Sequence, residues 1–106
     1  MAADHLVQRW LALTRKELPA LSGARGWPVH LDHCFQRILL DNATGGPWRE
    51  TIASPAYRNA TDAQLRLAIA LGEQAIAGTQ DMDLLNDKSL AWRGKRKGRT
   101  KRPGLS

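Results

Sequence analysis

The residues best suited to chemistry lie in one stretch, residues 30–48, which reads HLDHCFQRILLDNATGGPW. It holds the only cysteine of the chain and two of its three histidines. Cys34 is predicted in the first turn of a helix, where the macrodipole favours a thiolate, and His30 or His33 could act as its base. However, His33 is adjacent in sequence and points elsewhere on the helix. A cysteine on an apolar helix face is also typical of a small buried hydrophobe, so no catalytic residue is assigned.

Metal binding is the second chemistry that this stretch suggests. His30, His33 and Cys34 are three potential zinc ligands. Their spacing lacks the paired CxxC or HxxxH pattern, and the sequence offers no evident fourth ligand. Phosphate loops of the GxxxxGK or GxGxxG type are also missing from the sequence. We therefore predict neither a metal nor another cofactor.

Polar and aromatic residues around the end of the same helix indicate a candidate ligand pocket. Polar groups beside aromatic rings could bind a small molecule. They could equally cap the helix and anchor the Gly45-Gly46 turn, because Asn and Asp hydrogen-bond turn backbones well. The candidate pocket residues are His33, Cys34, Arg37, Asp41, Asn42, Trp48, Arg49 and Tyr57.

The positive charge of the chain is concentrated at its C-terminal end. The formal net charge is +6, yet residues 1–92 hold nine Lys or Arg against ten Asp or Glu. Residues 93–106 hold seven cations and no acid. These seven residues are Arg93, Lys95, Arg96, Lys97, Arg99, Lys101 and Arg102. A segment with so little to bury and such strong self-repulsion is predicted to be a disordered tail.

Such a tail has three interpretations. It can follow a nucleic-acid backbone and release counterions, without reading sequence. It can be an address, such as a nuclear localisation signal, or a solubility device. It can bind an acidic membrane or protein surface, although no lipidation motif or amphipathic anchor adjoins it. We predict nucleic-acid contact, DNA or RNA, and no membrane role.

The elements that must position these residues are helices. The first is predicted from Asp4 to Leu18, ended by Pro19 and followed by a loop over residues 20–29. The central helix is predicted from about His33 to Asn42, with Asp32 as N-cap and a stripe of Phe35, Ile38, Leu39 and Asn42. On its other face, His33, Arg37 and Asp41 are four apart, so their side chains can touch.

Two further helices follow a short one. Pro47 can begin a short helix that carries Trp48–Ile52, and residues 56–60 form a turn or a single helical turn. Thr61 and Gln64 form a capping box that opens a helix ending at Gly78. Asp81 can cap a last helix, with Leu84, Leu85 and Trp92 as its apolar contacts. No segment shows the period-two pattern of a strand.

The predicted architecture is therefore all-α. It is a small single-domain bundle of about four main helices plus one short helix over residues 1–92, with a disordered basic tail over residues 93–106. One cysteine fits a reducing compartment, and the sequence shows neither a signal peptide nor a membrane span. We expect a cytoplasmic protein, associated with the nucleoid in a bacterium or with the nucleus in a eukaryote.

Three runs carry a resemblance: DHCFQRILLDNATGGPW, SPAYRNATDAQL and LNDKSLAWRGK. They resemble a group of short, largely uncharacterised microbial proteins, some of them labelled acetyltransferase-like. Acetyltransferases of the common acetyl-CoA family are similar to one another in a central β-sheet and a Gln/Arg-x-x-Gly-x-Gly/Ala loop. This chain has neither feature in its sequence, so the resemblance transfers no catalytic residue.

The leading hypothesis is a small accessory or architectural protein that binds nucleic acid through the tail, and not an enzyme. Its body would present a second surface around His33, Arg37, Arg49 and Arg58. The first alternative is a small enzyme or ligand-binding protein with a site near His33, Cys34, Asp41 and Asn42. The second is a helical protein-protein adaptor, or a homodimer, that uses the Ala/Gly face of the helix after Thr61.

Overall fold

The computed structural model describes residues 2–94, and all regular structure in this part of the chain is helical. The α-helices are α1 (Asp4–Ala12), α2 (Leu18–Arg25), α3 (Asp32–Thr44), α4 (Ala56–Asn59), α5 (Asp62–Ala77) and α6 (Met82–Trp92). A π-helical turn (Leu13–Glu17) joins α1 to α2, and a 3-10 turn (Trp48–Glu50) follows α3. The all-α prediction is confirmed, as is the short helix near Trp48.

The first helical segment is longer than predicted, because Pro19 does not end it. The chain stays helical from Asp4 to Arg25, and Gly26, at a φ of 65°, terminates it in the left-handed region. Proline lacks an N–H and clashes with the carbonyl four residues earlier in an α-helix. Here the wider π turn precedes it, and the Leu18 N–H donates to the Leu13 carbonyl. The predicted loop over residues 20–29 is therefore wrong as far as Arg25.

Helix α3 lies at the centre of the molecule, against α5, α6 and the π turn. Its stripe of Phe35, Ile38 and Leu39 is fully buried, as the spacing predicts. Asp32 is the first helical residue and not the N-cap, which is Leu31. The Asp32 carboxylate accepts a hydrogen bond from the His33 N–H at 2.7 Å. The helix also continues two residues beyond the predicted end at Asn42, to Thr44.

Helix α5 begins and ends where the sequence predicts. The Thr61 hydroxyl accepts from the Gln64 N–H at 3.1 Å, and the Gln64 side chain accepts from the Thr61 N–H at 2.8 Å, which confirms the capping box. A Cβ on Gly72 would lie 2.7 Å from Leu13 Cδ2 and 3.1 Å from Leu39 Cδ1. Because this small-residue face packs inside the chain, it is not available to the partner that the adaptor hypothesis required.

Helix α6 buries a different face from the one expected. The Asp81 carboxylate caps it, as predicted, by accepting from the Asp83 and Leu84 N–H groups. Leu85 is buried, but Leu84 and Trp92 are 48% and 40% exposed, so their predicted roles as core contacts are wrong. The buried side of the helix consists of Met82, Leu85, Asn86 and Ser89. Two of these residues are polar, which hides this side from a search for apolar periodicity.

The ends of α2 and α5 are joined by Arg25. Its guanidinium donates to the Ala75 and Ile76 carbonyls at 3.2 and 2.9 Å, and it lies over the Trp27 ring at 5.6 Å. A cation at these last carbonyls complements the negative end of the α5 dipole. Trp27 in turn packs edge-on against Phe35. No helix within residues 2–94 combines the length and apolar character needed to cross a membrane.

Candidate functional site

A buried carboxylate, Asp41, organises the polar contacts between α3 and α6. Its side chain is fully buried and accepts four hydrogen bonds. The Trp48 N–H and the Arg93 Nη2 donate to Oδ1 at 2.9 and 2.8 Å, while the Ser89 hydroxyl and the Arg93 Nε donate to Oδ2 at 2.7 and 2.6 Å. A buried charge needs this degree of pairing, so Asp41 is a structural anchor.

Arg37 lies one helical turn before Asp41 and reaches the same part of α6. Its Nη1 donates to the Ser89 hydroxyl at 2.6 Å, and its Nη2 donates to the side-chain amide oxygen of Asn86 at 2.9 Å. Both acceptors are neutral, and the structure shows no carboxylate in contact with this guanidinium among residues 2–94. Burial lowers the pKa of Arg37 from its ordinary value. Ser89 therefore links Arg37 to Asp41, in place of the direct contact that the sequence predicted.

Arg93 directly follows α6 and closes this network. Hydrogen bonding to Asp41 raises the pKa of the Arg93 guanidinium above its ordinary value, and nearby Glu50 acts in the same direction. The side chain is 25% exposed and forms a bidentate pair with the carboxylate. The sequence placed Arg93 in the disordered tail, whereas the structure places it in the folded body.

A cleft of about 380 Å³ opens over this network. This size is within the range of roughly 300–1,000 Å³ that is usual for small-molecule sites. Among the described residues that line it, none is acidic and four are arginines. The lining residues are Trp10, Arg15, His33, Gln36, Arg37, Leu40, Trp48, Arg49, Ser54, Pro55, Ala56, Tyr57 and Arg93.

The arginines at the cleft mouth are less constrained than the two beneath them. Arg15 comes from the π turn and is exposed; within residues 2–94 no hydrogen bond or ion pair holds its side chain. Arg49 is also exposed, and its guanidinium lies over the Trp48 ring at 5.2 Å. Trp48 and Tyr57 are partly buried cleft walls. The cleft therefore combines cations with aromatic surface.

The structure brings together five of the eight predicted pocket residues. His33, Arg37, Trp48, Arg49 and Tyr57 line the cleft. The other three, Cys34, Asp41 and Asn42, are not part of its lining. The Asn42 amide donates to the Ile38 and Leu85 carbonyls, both within 2.9 Å, so this residue supports the packing of α3 against α6.

The cysteine and metal hypotheses find no supporting geometry in the part of the chain that the structure describes. Cys34 is partly buried and free, outside the cleft lining. His33 is exposed, and its Nδ1 lies 3.6 Å from the carboxylate of the preceding residue, Asp32. No group of three His, Cys, Asp or Glu side chains within residues 2–94 could hold a metal ion.

Sequence reasoning missed the residues that complete the site from distant segments. Arg15 gave no signal, because a cation on the polar side of an amphipathic helix is ordinary. Asn86 and Ser89 match no functional motif, although their spacing from Leu85 places them on the buried side of α6. Gln36 donates to the buried Thr14 hydroxyl at 3.0 Å and so links α3 to the π turn at the cleft wall. Arg58, predicted on the second surface, is outside the cleft lining.

Comparisons of the chain with models of known families, with curated proteins and with solved structures found no significant match. The similarity to the group of acetyltransferase-labelled microbial proteins stays a prediction from the sequence. Inference about function therefore depends on the geometry of the cleft and on the charge pattern of the chain.

Proposed function

We propose that this protein is a small accessory protein that binds nucleic acid without strong sequence specificity. The observation that carries the proposal is the position of Arg93, which lines the arginine-rich cleft immediately before the basic segment. Six further cations lie within the next nine residues, at 95, 96, 97, 99, 101 and 102. They lie outside the described residues, and the chain enters this segment beside a surface of the same charge.

The folded body and the basic segment have different roles in this proposal. Arg93 is paired with Asp41, which neutralises much of its charge and fixes the start of the segment. Arg15 and Arg49 are the exposed cleft cations that extend the positive surface onto the body. Phosphate contacts of this kind give affinity and position but no sequence information, so binding should tolerate changes of sequence.

Salt dependence provides the quantitative expectation. If the six cations from Lys95 to Arg102 all contacted duplex phosphates, log K would fall with log salt at a slope of roughly -5. Absence of nucleic-acid binding would leave the segment as an address or a solubility device. The proposal also implies association with the nucleoid in a bacterium, or with the nucleus in a eukaryote.

The experiment compares two variants with the same net charge. In the first, Lys95, Arg96, Lys97 and Arg99 become Gln. In the matched control, Lys16, Arg58, Arg66 and Lys88 become Gln; these four are exposed, and within residues 2–94 no hydrogen bond or ion pair involves their side chains. Binding to fluorescent duplex DNA and to single-stranded RNA is measured by anisotropy over a range of salt concentrations.

We expect the first variant to weaken duplex binding and to flatten the salt slope by roughly three to four units, because about 0.9 of a unit is lost per phosphate contact. The control should keep most of the affinity. Equal losses in the two variants would show that only the total charge matters and would contradict a specific role for the basic segment. Absence of binding by the unmodified protein would contradict the proposal as a whole.

A further inference from the structure

The charge balance beneath the cleft favours an anionic occupant. Asp41 contributes one negative charge to the hydrogen-bonded network, whereas Arg37 and Arg93 contribute two positive charges. Glu50 also lies near Arg93, but it is exposed and outside the cleft lining. Arg37 is held by the hydroxyl of Ser89 and the amide oxygen of Asn86, which orient its guanidinium without neutralising it. An oriented cation with incomplete charge compensation is typical of a site that receives an anion.

Two further arginines face the same space from independent segments. Arg15 comes from the π turn between α1 and α2, and Arg49 comes from the 3-10 turn after α3. If either arginine served only to stabilise the fold, its guanidinium would hydrogen-bond or pair with another group of the folded body. Within residues 2–94, neither the Arg15 nor the Arg49 side chain has a hydrogen bond or ion pair, and the Arg49 guanidinium lies over the Trp48 ring. Together with Arg37 they provide three guanidinium groups for one anion.

The cleft also offers a surface for a flat ring. Trp48 and Tyr57 are both partly buried in its wall, and the buried Trp10 contributes to its floor. Aromatic side chains stack on nucleobases, and arginine planes do the same. Gln36 and Ser54 add polar groups that could hydrogen-bond to a sugar or a base edge. The cleft volume of about 380 Å³ suits one small molecule and not a duplex.

We propose that the cleft is a binding site for a nucleoside monophosphate, with the phosphate held by Arg15, Arg37 and Arg49 and the base against Trp48 and Tyr57. This site goes beyond the proposed function, because it needs no residue of the basic segment. A free nucleotide and the phosphorylated end of a single strand share this chemistry.

The experiment is isothermal titration calorimetry on the full chain. The probes are adenosine 5′-monophosphate, adenosine and inorganic phosphate, used singly at one low salt concentration. The cleft variants are Arg15→Ala and Arg49→Ala, both at exposed positions where truncation leaves the core intact. Arg66→Ala is the matched control, since it removes the same charge from an exposed residue outside the cleft lining. A 5′-phosphorylated trinucleotide and its unphosphorylated form distinguish a strand end from a free nucleotide.

We expect adenosine 5′-monophosphate to bind more tightly than either adenosine or inorganic phosphate, and each cleft variant to weaken it about tenfold or more. Arg66→Ala should bind it like the unmodified protein. The proposal is overturned if the nucleotide does not bind, if adenosine or phosphate binds equally well, or if Arg66→Ala weakens binding as much as the cleft variants do.

The variant with Gln at positions 95, 96, 97 and 99 separates the two proposals. It should keep its affinity for adenosine 5′-monophosphate while losing affinity for duplex DNA. Loss of nucleotide binding in this variant would overturn the cleft site and leave the nucleic-acid proposal intact. Conversely, unchanged duplex binding in this variant contradicts the role of the basic segment without affecting the cleft.

Discussion

Asp41 and Arg93 form a bidentate ion pair that joins the last turn of α3 to the residue following α6. The Arg93 Nε lies 2.6 Å from Oδ2, and its Nη2 lies 2.8 Å from Oδ1. Asp41 is fully buried, so the carboxylate has exchanged water for protein donors. The pair holds the end of α6 against α3, and its Arg93 side chain also lines the cleft.

Arg93→Ala should destabilise the fold by about 2–4 kcal/mol, because a buried carboxylate loses two of its four hydrogen bonds. Urea denaturation followed by circular dichroism measures the free energy of unfolding. The double variant with Asp41→Asn provides a thermodynamic cycle. If Arg93→Ala is as stable as the parent, the ion pair does not hold α6 in place.

Arg37→Met should destabilise the fold less than Arg93→Ala does. It leaves the Asn86 amide oxygen and the Ser89 hydroxyl without this donor but also removes a half-buried cation, so we expect the free energy of unfolding to fall by about 1–2 kcal/mol. The same variant should lose affinity for adenosine 5′-monophosphate. A large loss of stability would instead show that Arg37 is a structural residue, whose hydrogen bonds to Asn86 and Ser89 hold α3 and α6 together.

Thr61→Ala should cost about 1 kcal/mol of stability, because it leaves the Gln64 N–H in the first turn of α5 without its acceptor. The matched control is Thr51→Ala, at an exposed threonine whose hydroxyl makes no hydrogen bond within residues 2–94. The control should change stability by less than about 0.5 kcal/mol. Thermal unfolding of the two variants side by side checks the difference, and equal melting temperatures would contradict a stabilising cap.

Gly72→Val should destabilise the fold by about 2–3 kcal/mol, because the new side chain would overlap two fully buried leucines, Leu13 and Leu39. Gly23→Ala is the contrasting change. Gly23 lies in α2, and a Cβ there meets no atom of residues 2–94 within 4 Å, so we expect a gain of up to about 1 kcal/mol. Chemical denaturation measures both, and a stable Gly72→Val variant would contradict the close packing of α5.

Cys34→Ala should leave the binding of adenosine 5′-monophosphate unchanged, since the thiol lies outside the cleft lining. This prediction separates the cleft site from the cysteine-based enzyme that the sequence also suggested. Calorimetry with the nucleotide measures the affinity, and Arg49→Ala serves as the variant that must lose it. A loss of affinity in Cys34→Ala, with the melting temperature unchanged, would return the cysteine to the site.

The sequence predicted those parts of the fold that depend on local signals. The capping box at Thr61, the Asp81 cap and the apolar stripe of α3 are short-range patterns, and the structure confirms each. The continuation of the first helix past Pro19 was not predictable in the same way. It depends on the π turn, and a proline alone indicates a helix end.

The site was predictable only where its residues were close in sequence. His33 and Arg37 share one helix, and Trp48 and Arg49 follow soon after it, so their grouping was visible. The contributions of Arg15, Ser89 and Arg93 depend on how α1, α3 and α6 pack, which periodicity does not specify. On α6 the apolar pattern even pointed to the wrong face, because Asn86 and Ser89 are buried for their hydrogen bonds to α3.

Pro19 has an effect on the cleft although it lies outside the cleft lining. In a regular α-helix its missing N–H would have been the donor to the Arg15 carbonyl, so the backbone at Arg15 must adapt to a bond that cannot form. The π turn is that adaptation, and Arg15 projects from it into the cleft. The direction of one cleft cation is therefore encoded by the covalent structure of a residue four positions later. Substitution of Pro19 should consequently change the position of Arg15 in the proposed nucleotide site without changing any residue of the cleft lining.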